Sequence, residues 1–267
     1  MELSAWFENL LFGGAVGDKA AHGERPAGGA PPVVTVIGAG GKTSLIWLLA
    51  AHLTHEHKVL VTPTTKMLVP PPEEKFYDRY IDGIPTPPVP GVTLAGCFNE
   101  ATGKLESLPL PALSEIISPY DLVLIEGDGS RGLPLKAWAD YEPVVPAFTT
   151  LTVGVLPLWP LGKPISESLI HRLPLFLSLT GASVGETLKP EHIAALITGC
   201  AGKEEVPGLF TKARGKRILF FNQIEDDGAL RQAREVTGLL PASFRESLGG
   251  ILAGSARLNE VSGQEFS

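Results

Sequence analysis

Cysteine is nearly absent: the 267 residues hold only Cys97 and Cys200. Two thiols so far apart supply neither a disulfide framework nor the paired spacing of a metal site, and they read as buried thiols of a reducing compartment. Long apolar runs are missing as well. No stretch approaches the roughly 18–20 residues of a membrane span, and the N-terminus lacks the plan of a secretory signal, so a soluble, cytoplasmic protein is expected. A basic excess is also lacking, since 22 Lys and Arg face 29 Asp and Glu for a net charge of −7. Phosphate backbones select basic faces, which speaks against nucleic acid as the main partner. Histidine is sparse. His52 and His55 share a helical face and His57 sits at the turn after it, an arrangement better explained by surface histidines than by a metal set. No internal repeat, no Ser-His-Asp order and no Cys-His pair stands out.

Apolar residues are plentiful, at 44% against 19% charged, enough for the sizeable core of one large α/β domain. The most informative stretch runs from Val33 to Ser44. The β-branched Val33-Val34-Thr35-Val36-Ile37 predicts a buried strand. Gly38-Ala39-Gly40-Gly41 then makes a tight loop, and Lys42-Thr43-Ser44 opens the apolar-periodic helix Leu45 to Leu53. A strand, a glycine loop and a helix N-terminus together cradle polyphosphate: amides without Cβ obstruction turn inward, and the helix end adds partial positive charge. Lys42 can then reach the β- and γ-phosphates of ATP or GTP, and the Thr43 hydroxyl can hold Mg²⁺. The usual G-x-x-x-x-G-K-[ST] spacing would need Gly at position 36, where Val stands. The loop is therefore a short form, as similar to the G-T-x-G-K-[ST] loop of Mur-type ligases as to that of GTPases.

The second informative stretch is Asp121 to Ser130. Leu122-Val123-Leu124-Ile125 predicts a fully buried parallel strand, and Glu126 and Asp128 stand at its C-terminal end. Carboxylates placed there can hold Mg²⁺ or orient a nucleophile. Arg131 and Lys136 follow, able to neutralise phosphates or an anionic second substrate, or simply to belong to a solvated loop. Lys58 to Thr62 predicts another strand, and Thr64 or Thr65 after it can touch the metal or serve turn chemistry. Arg217 to Glu225 predicts a further strand with a polar end. Its Asn222-Gln223-Ile224-Glu225 departs from the Asn-Lys-x-Asp of guanine-binding folds, leaving Asn222 as a candidate base contact.

Around these motifs, Leu3 to Phe12 predicts a short amphipathic helix, and the Gly-, Ala- and Pro-rich residues 13–32 a flexible linker. The core is thus expected to begin at Val33, giving a segment 1–32 and a single domain 33–267. Val69 to Gly91, with Pro70, Pro71, Pro72, Pro85, Pro87, Pro88 and Pro90, predicts a long excursion without strands or helices. Strands are expected at Val92–Gly96, Thr149–Leu156 and Gly250–Ala253. Helices are expected at Ser166–Leu179, at Pro190–Ile197 stopped by Gly199, and at Ala229–Thr237.

Taken jointly, Ile37 to Ser44, Thr62-Pro63-Thr64-Thr65-Lys66 and Glu126 to Lys136 resemble the YqeC family, accessory factors of selenium-dependent molybdenum hydroxylases. Glu142-Pro143-Val144-Val145-Pro146, His171-Arg172 and Asn222-Gln223 add to the likeness, which runs from about Val33 to Gly254. Family members often carry His before the Glu-Pro pair, where this chain has Tyr141, so no role for that His carries over. The resemblance implies a P-loop NTPase-like fold with a mostly parallel sheet and helices on both faces. It also implies a part in preparing a selenium- or molybdopterin-type cofactor, with a molybdenum hydroxylase as partner, and it strengthens Arg131, Lys136 and His171 as site residues.

Overall fold

The computed structural model describes residues 1–13, 29–52, 57–74, 76–85, 87–199 and 207–265. In chain order, α1 (Leu3–Phe12) precedes β1 (Val33–Gly38), α2 (Lys42–His52), β2 (Lys58–Pro63), β3 (Lys66–Leu68), β4 (Arg79–Asp82), β5 (Gly91–Asn99) and β6 (Lys104–Glu106). Then come α3 (Leu110–Ile116), β7 (Leu122–Glu126), β8 (Leu135–Lys136), β9 (Leu151–Pro157), β10 (Ile170–His171), α4 (Leu173–Thr180) and α5 (Pro190–Thr198). The last elements are β11 (Lys216–Asn222), α6 (Asp227–Leu239), α7 (Ala242–Glu246), β12 (Gly250–Ser255) and β13 (Glu260–Glu265).

Among the described residues one sheet of 11 strands runs in the order β13-β12-β11-β9-β1-β7-β2-β5-β6-β3, with β4 also joined to β5. Every pairing from β12 to β5 is parallel. Antiparallel pairs occur only towards the edges, at β12–β13, β5–β6 and β6–β3. The central strands are buried on both faces, as their uninterrupted β-branched and leucine runs require. Val34, Val36, Val59 and Val61 pack under α1 and α2. The alternate residues Val33, Leu60, Val123 and Ile125 pack against α3, and Ile37, Leu219 and Phe221 against α4, α5 and α6. This is the expected α/β architecture, with helices on both faces.

The register places the site. Val36 pairs with Glu126 on one side and Val153 on the other, and Asn222 pairs with Pro157. The ends of β11, β9, β1, β7 and β2 therefore meet along one edge, where ligands bind in open parallel sheets.

Three expectations change. The core begins in α1 rather than at Val33: Leu3 and Phe7 are fully buried, α1 packs on α2, and Glu8 pairs with His52 at 3.0 Å. The proline-dense segment does hold a strand, β4, parallel to β5, because Asp78 accepts from the Val92 amide at 2.7 Å and steers the chain alongside. The helix expected from Ser166 begins only at Leu173, since Ile170-His171 is drawn into pairing with Leu135-Lys136 and Arg172 takes a positive φ of 61°. Gly199 ends α5 in the left-handed conformation at φ 74°, as expected of a C-cap glycine. Most of the expected linker (residues 14–28), Leu53, His55 and Cys200 lie outside the described residues. Among the described residues no helix is long and apolar enough to cross a membrane.

Candidate functional site

The glycine loop is held open by its surroundings. A Cβ on Gly38 (φ 102°) would collide with the Val155 carbonyl, one on Gly40 (φ 74°) with the Pro157 ring, and one on Gly41 (φ 121°) with the Asn222 amide. Only glycine meets both the backbone angle and the close approach. Of the expected phosphate-binding amides, those of Gly38 and Ala39 are already committed. Gly38 N–H donates to Asp128 at 3.0 Å, and Ala39 N–H donates to the Val155 carbonyl at 2.9 Å. The part of the loop that opens outward is Gly40, Gly41, Lys42, Thr43 and Ser44, where the first turn of α2 leaves amides without intrahelical partners.

Lys42 Nζ donates to the Gly38 carbonyl at 2.7 Å and lies 3.4 Å from Asp128 Oδ1. Thr43 Oγ1 donates to Glu126 Oε2 at 2.9 Å. Glu126 is buried, and that burial pushes its carboxyl above the ordinary value of 4.5, opposed by Lys42 and the Thr43 hydrogen bond and assisted by Asp128. A hydroxyl and a carboxylate that touch beside a glycine loop suit Mg²⁺, which binds through one or two protein oxygens plus phosphate and water. No cluster of three or more His, Cys, Asp or Glu among the described residues could hold a metal on its own.

Asp128 does not face the open side. It is fully buried and receives Gly38 N–H, Trp138 Nε1–H at 2.7 Å, Lys136 Nζ at 3.1 Å and Lys42 Nζ. Expected as a metal ligand or catalytic acid, it is placed by the structure with its oxygens taken by groups inside the protein. Lys136 is likewise fully buried. It donates to the Gly129 carbonyl at 2.7 Å and to Glu142 Oε2 at 3.1 Å, inside the protein rather than on the cleft. Glu142 in turn pairs with Arg172. Lys42, Asp128, Lys136, Glu142 and Arg172 thus form a row of alternating charge from the glycine loop to the start of α4. Spacing could not reveal it, because Trp138, Glu142 and Arg172 carry no local motif. Glu142 and His171-Arg172 were visible only through family resemblance.

The open side is a cleft of about 1330 Å³ along the sheet edge. Its lining includes Glu126, Arg131, His171 and Trp159 besides the glycine loop. Arg131 is exposed at φ 55°. His171 is held below its ordinary value of 6.5 by burial and by Arg172, Lys136 and Arg131, with Glu142 opposing. Thr64 turns away and donates to the Val144 carbonyl at 2.6 Å. The Thr65 hydroxyl, on the cleft, is buried without a hydrogen-bond partner. Asn222, expected as a base contact, braces the loop in this structure: its Nδ2 donates to the Gly40 carbonyl at 2.8 Å and its Oδ1 accepts from Ala256 N–H at 2.9 Å. Glu225 is taken by Ser255 at 2.8 Å and Arg257 at 2.6 Å.

The family model described as YqeC protein matches residues 34–174, a span from β1 to the first turn of α4 that holds every member of the charge row and ends before Asn222. A protein of Escherichia coli (strain K12), named Uncharacterized protein YqeC, is 33% identical over 174 residues, covering 62% of this chain and 68% of its own length. The chain belongs to the YqeC family.

Proposed function

We propose that the protein binds a nucleoside triphosphate, ATP or GTP, together with Mg²⁺, and uses it on a second, anionic substrate or cofactor precursor. The observation that carries this reading is the convergence of Lys42, the Thr43–Glu126 pair at 2.9 Å and the outward half of the glycine loop on one cleft. Thr43 and Glu126 would hold the metal, which supplies charge neutralisation on the phosphates. A cation arriving there also favours the ionised form of this carboxylate, against the burial that raises its pKa. Lys42 would exchange its internal partners for the β- and γ-phosphates. Arg131 and His171 would meet the second substrate, and the Thr65 hydroxyl would find its missing partner there.

The size of the cleft favours turnover with an acceptor, as in a ligase or small-molecule kinase, over a GTPase timer. At about 1330 Å³ it exceeds the roughly 300–1,000 Å³ of a single-ligand site. Asn222 and Glu225, the positions that would read guanine in an Asn-Lys-x-Asp fold, are also engaged inside the protein. The cellular setting we propose, from family membership, is maturation of a selenium-dependent molybdenum hydroxylase.

Calorimetric titration with MgATP and MgGTP tests the nucleotide reading. The wild type should bind and Lys42→Ala should lose at least tenfold in affinity; equal binding by both would overturn it. Addition of the protein with MgATP to the immature hydroxylase, with hydroxylase activity as the readout, tests the setting.

A further inference from the structure

We propose that Trp159 is the stacking platform for the nucleobase, which makes the site indifferent to base identity. This rests on the nucleotide reading above. The metal-binding pair Thr43–Glu126 lies on the β7 side of the glycine loop. The terminal phosphates belong with the metal, so the nucleoside at the other end of the polyphosphate extends to the opposite side of β1. That side is β9 and β11, and the residues that follow these strands and line the cleft are Trp159 and Gln223.

Trp159 is unlike the chain's other indoles. Trp6, Trp47 and Trp138 are 6%, 5% and 0% exposed, whereas Trp159 is 45% exposed. Its backbone is nevertheless fixed. Leu158 before it is fully buried, Leu161 N–H closes the turn onto the Leu158 carbonyl at 3.0 Å, and Gly162 N–H donates to the Leu188 carbonyl at 2.9 Å. Lys163 Nζ stands 4.1 Å from the ring centroid, a cation–π contact that helps to hold the ring. A ring held this way offers its π-face at little conformational cost. Stacking accepts any base, since every base has a π-face. Asn222 and Glu225 are committed elsewhere and do not read the base edge.

The test is calorimetry with MgATP, MgGTP and magnesium tripolyphosphate, which has the phosphates and no base, on the wild type, Trp159→Ala and Trp159→Phe. ATP and GTP should bind the wild type within a few-fold of each other. Trp159→Ala should weaken both about tenfold and leave tripolyphosphate binding unchanged, which also shows the fold is intact. Trp159→Phe should restore most of the loss. If tripolyphosphate binds and Trp159→Ala leaves nucleotide affinity unchanged, the platform is refuted while the phosphate site stands. If the wild type fails to bind tripolyphosphate, the phosphate-loop reading falls and this inference with it.

Discussion

The neighbouring acids Glu126 and Asp128 should respond in opposite ways to loss of charge. Asp128→Asn conserves volume, so no cavity term enters. It removes an anion that lies between two buried lysines and accepts from the Gly38 amide and the Trp138 indole. The new amide nitrogen must also face one of these donors. Breaking a buried pair from one side costs about 3–5 kcal/mol. A chain of 267 residues has an unfolding entropy of about 0.56 kcal/mol/K at about 2.1 cal/mol/K per residue. The melting temperature should therefore fall by about 5–9 °C. Glu126→Gln replaces a carboxyl that burial already drives towards its neutral form, and the Thr43 hydroxyl can still donate to the amide oxygen. Its melting temperature should stay within about 2 °C of the wild type, while Mg²⁺-dependent nucleotide binding is lost. Differential scanning calorimetry on both variants decides the matter. A drop under 2 °C for Asp128→Asn, or a larger drop for Glu126→Gln than for Asp128→Asn, would refute the assignment of one acid to structure and the other to the metal.

The raised Glu126 carboxyl also predicts a pH trend. The folded state holds this proton more tightly than the unfolded state, so its contribution is complete below the ordinary value of 4.5 and is lost as pH rises through the raised folded value. Urea titrations should show wild type losing stability relative to Glu126→Gln as pH rises across that window; wild type gaining on the variant would contradict it. Asn222→Ala should cost about 1–3 kcal/mol, because the Gly40 carbonyl and Ala256 amide lose their partner, and should weaken tripolyphosphate binding as the loop loosens; unchanged values in both measurements would argue against a brace. Phe7→Ala should destabilise by about 3–5 kcal/mol, since Phe7 is fully buried against the same sheet face as α2; a loss below 1 kcal/mol in urea denaturation would return α1 to the status of an appendage.

Much of the architecture was legible because the central strands are continuous apolar runs. Val33–Ile37, Leu122–Ile125 and Ile218–Phe221 need no partner information to be read as buried parallel strands. The glycine loop was legible for the same local reason, and Thr43 and Glu126 do meet. Side-chain direction was not legible. Nothing in the string Glu126-Gly127-Asp128 says that the first acid lies on the cleft and the second under the loop; that depends on Trp138 and Lys136 arriving from the next segment. Lys136 next to Arg131 looked like one cationic loop, yet β8–β10 pairing buries the former and leaves the latter exposed. The amphipathic pattern of Leu3–Phe12 announced a helix without announcing its docking on α2. The periodicity from Ser166 overran because local spacing cannot register that Ile170 is claimed by Leu135.

Asp128 has a consequence for the loop when no ligand is near. A lysine only 5% exposed at the mouth of a phosphate site would be an uncompensated charge in the absence of phosphate. Here it rests on an internal anion, and the Gly38 amide rests on the same one. On the proposed function Asp128 would stand in for the phosphate, so the loop would keep its shape unliganded. Were polyphosphate to draw Lys42 away, Asp128 would still hold Lys136, the Trp138 indole and the Gly38 amide, so no carboxylate would be stranded. Phosphate binding would then be an exchange of one anion for another at Lys42, with the receptor already set before the guest arrives.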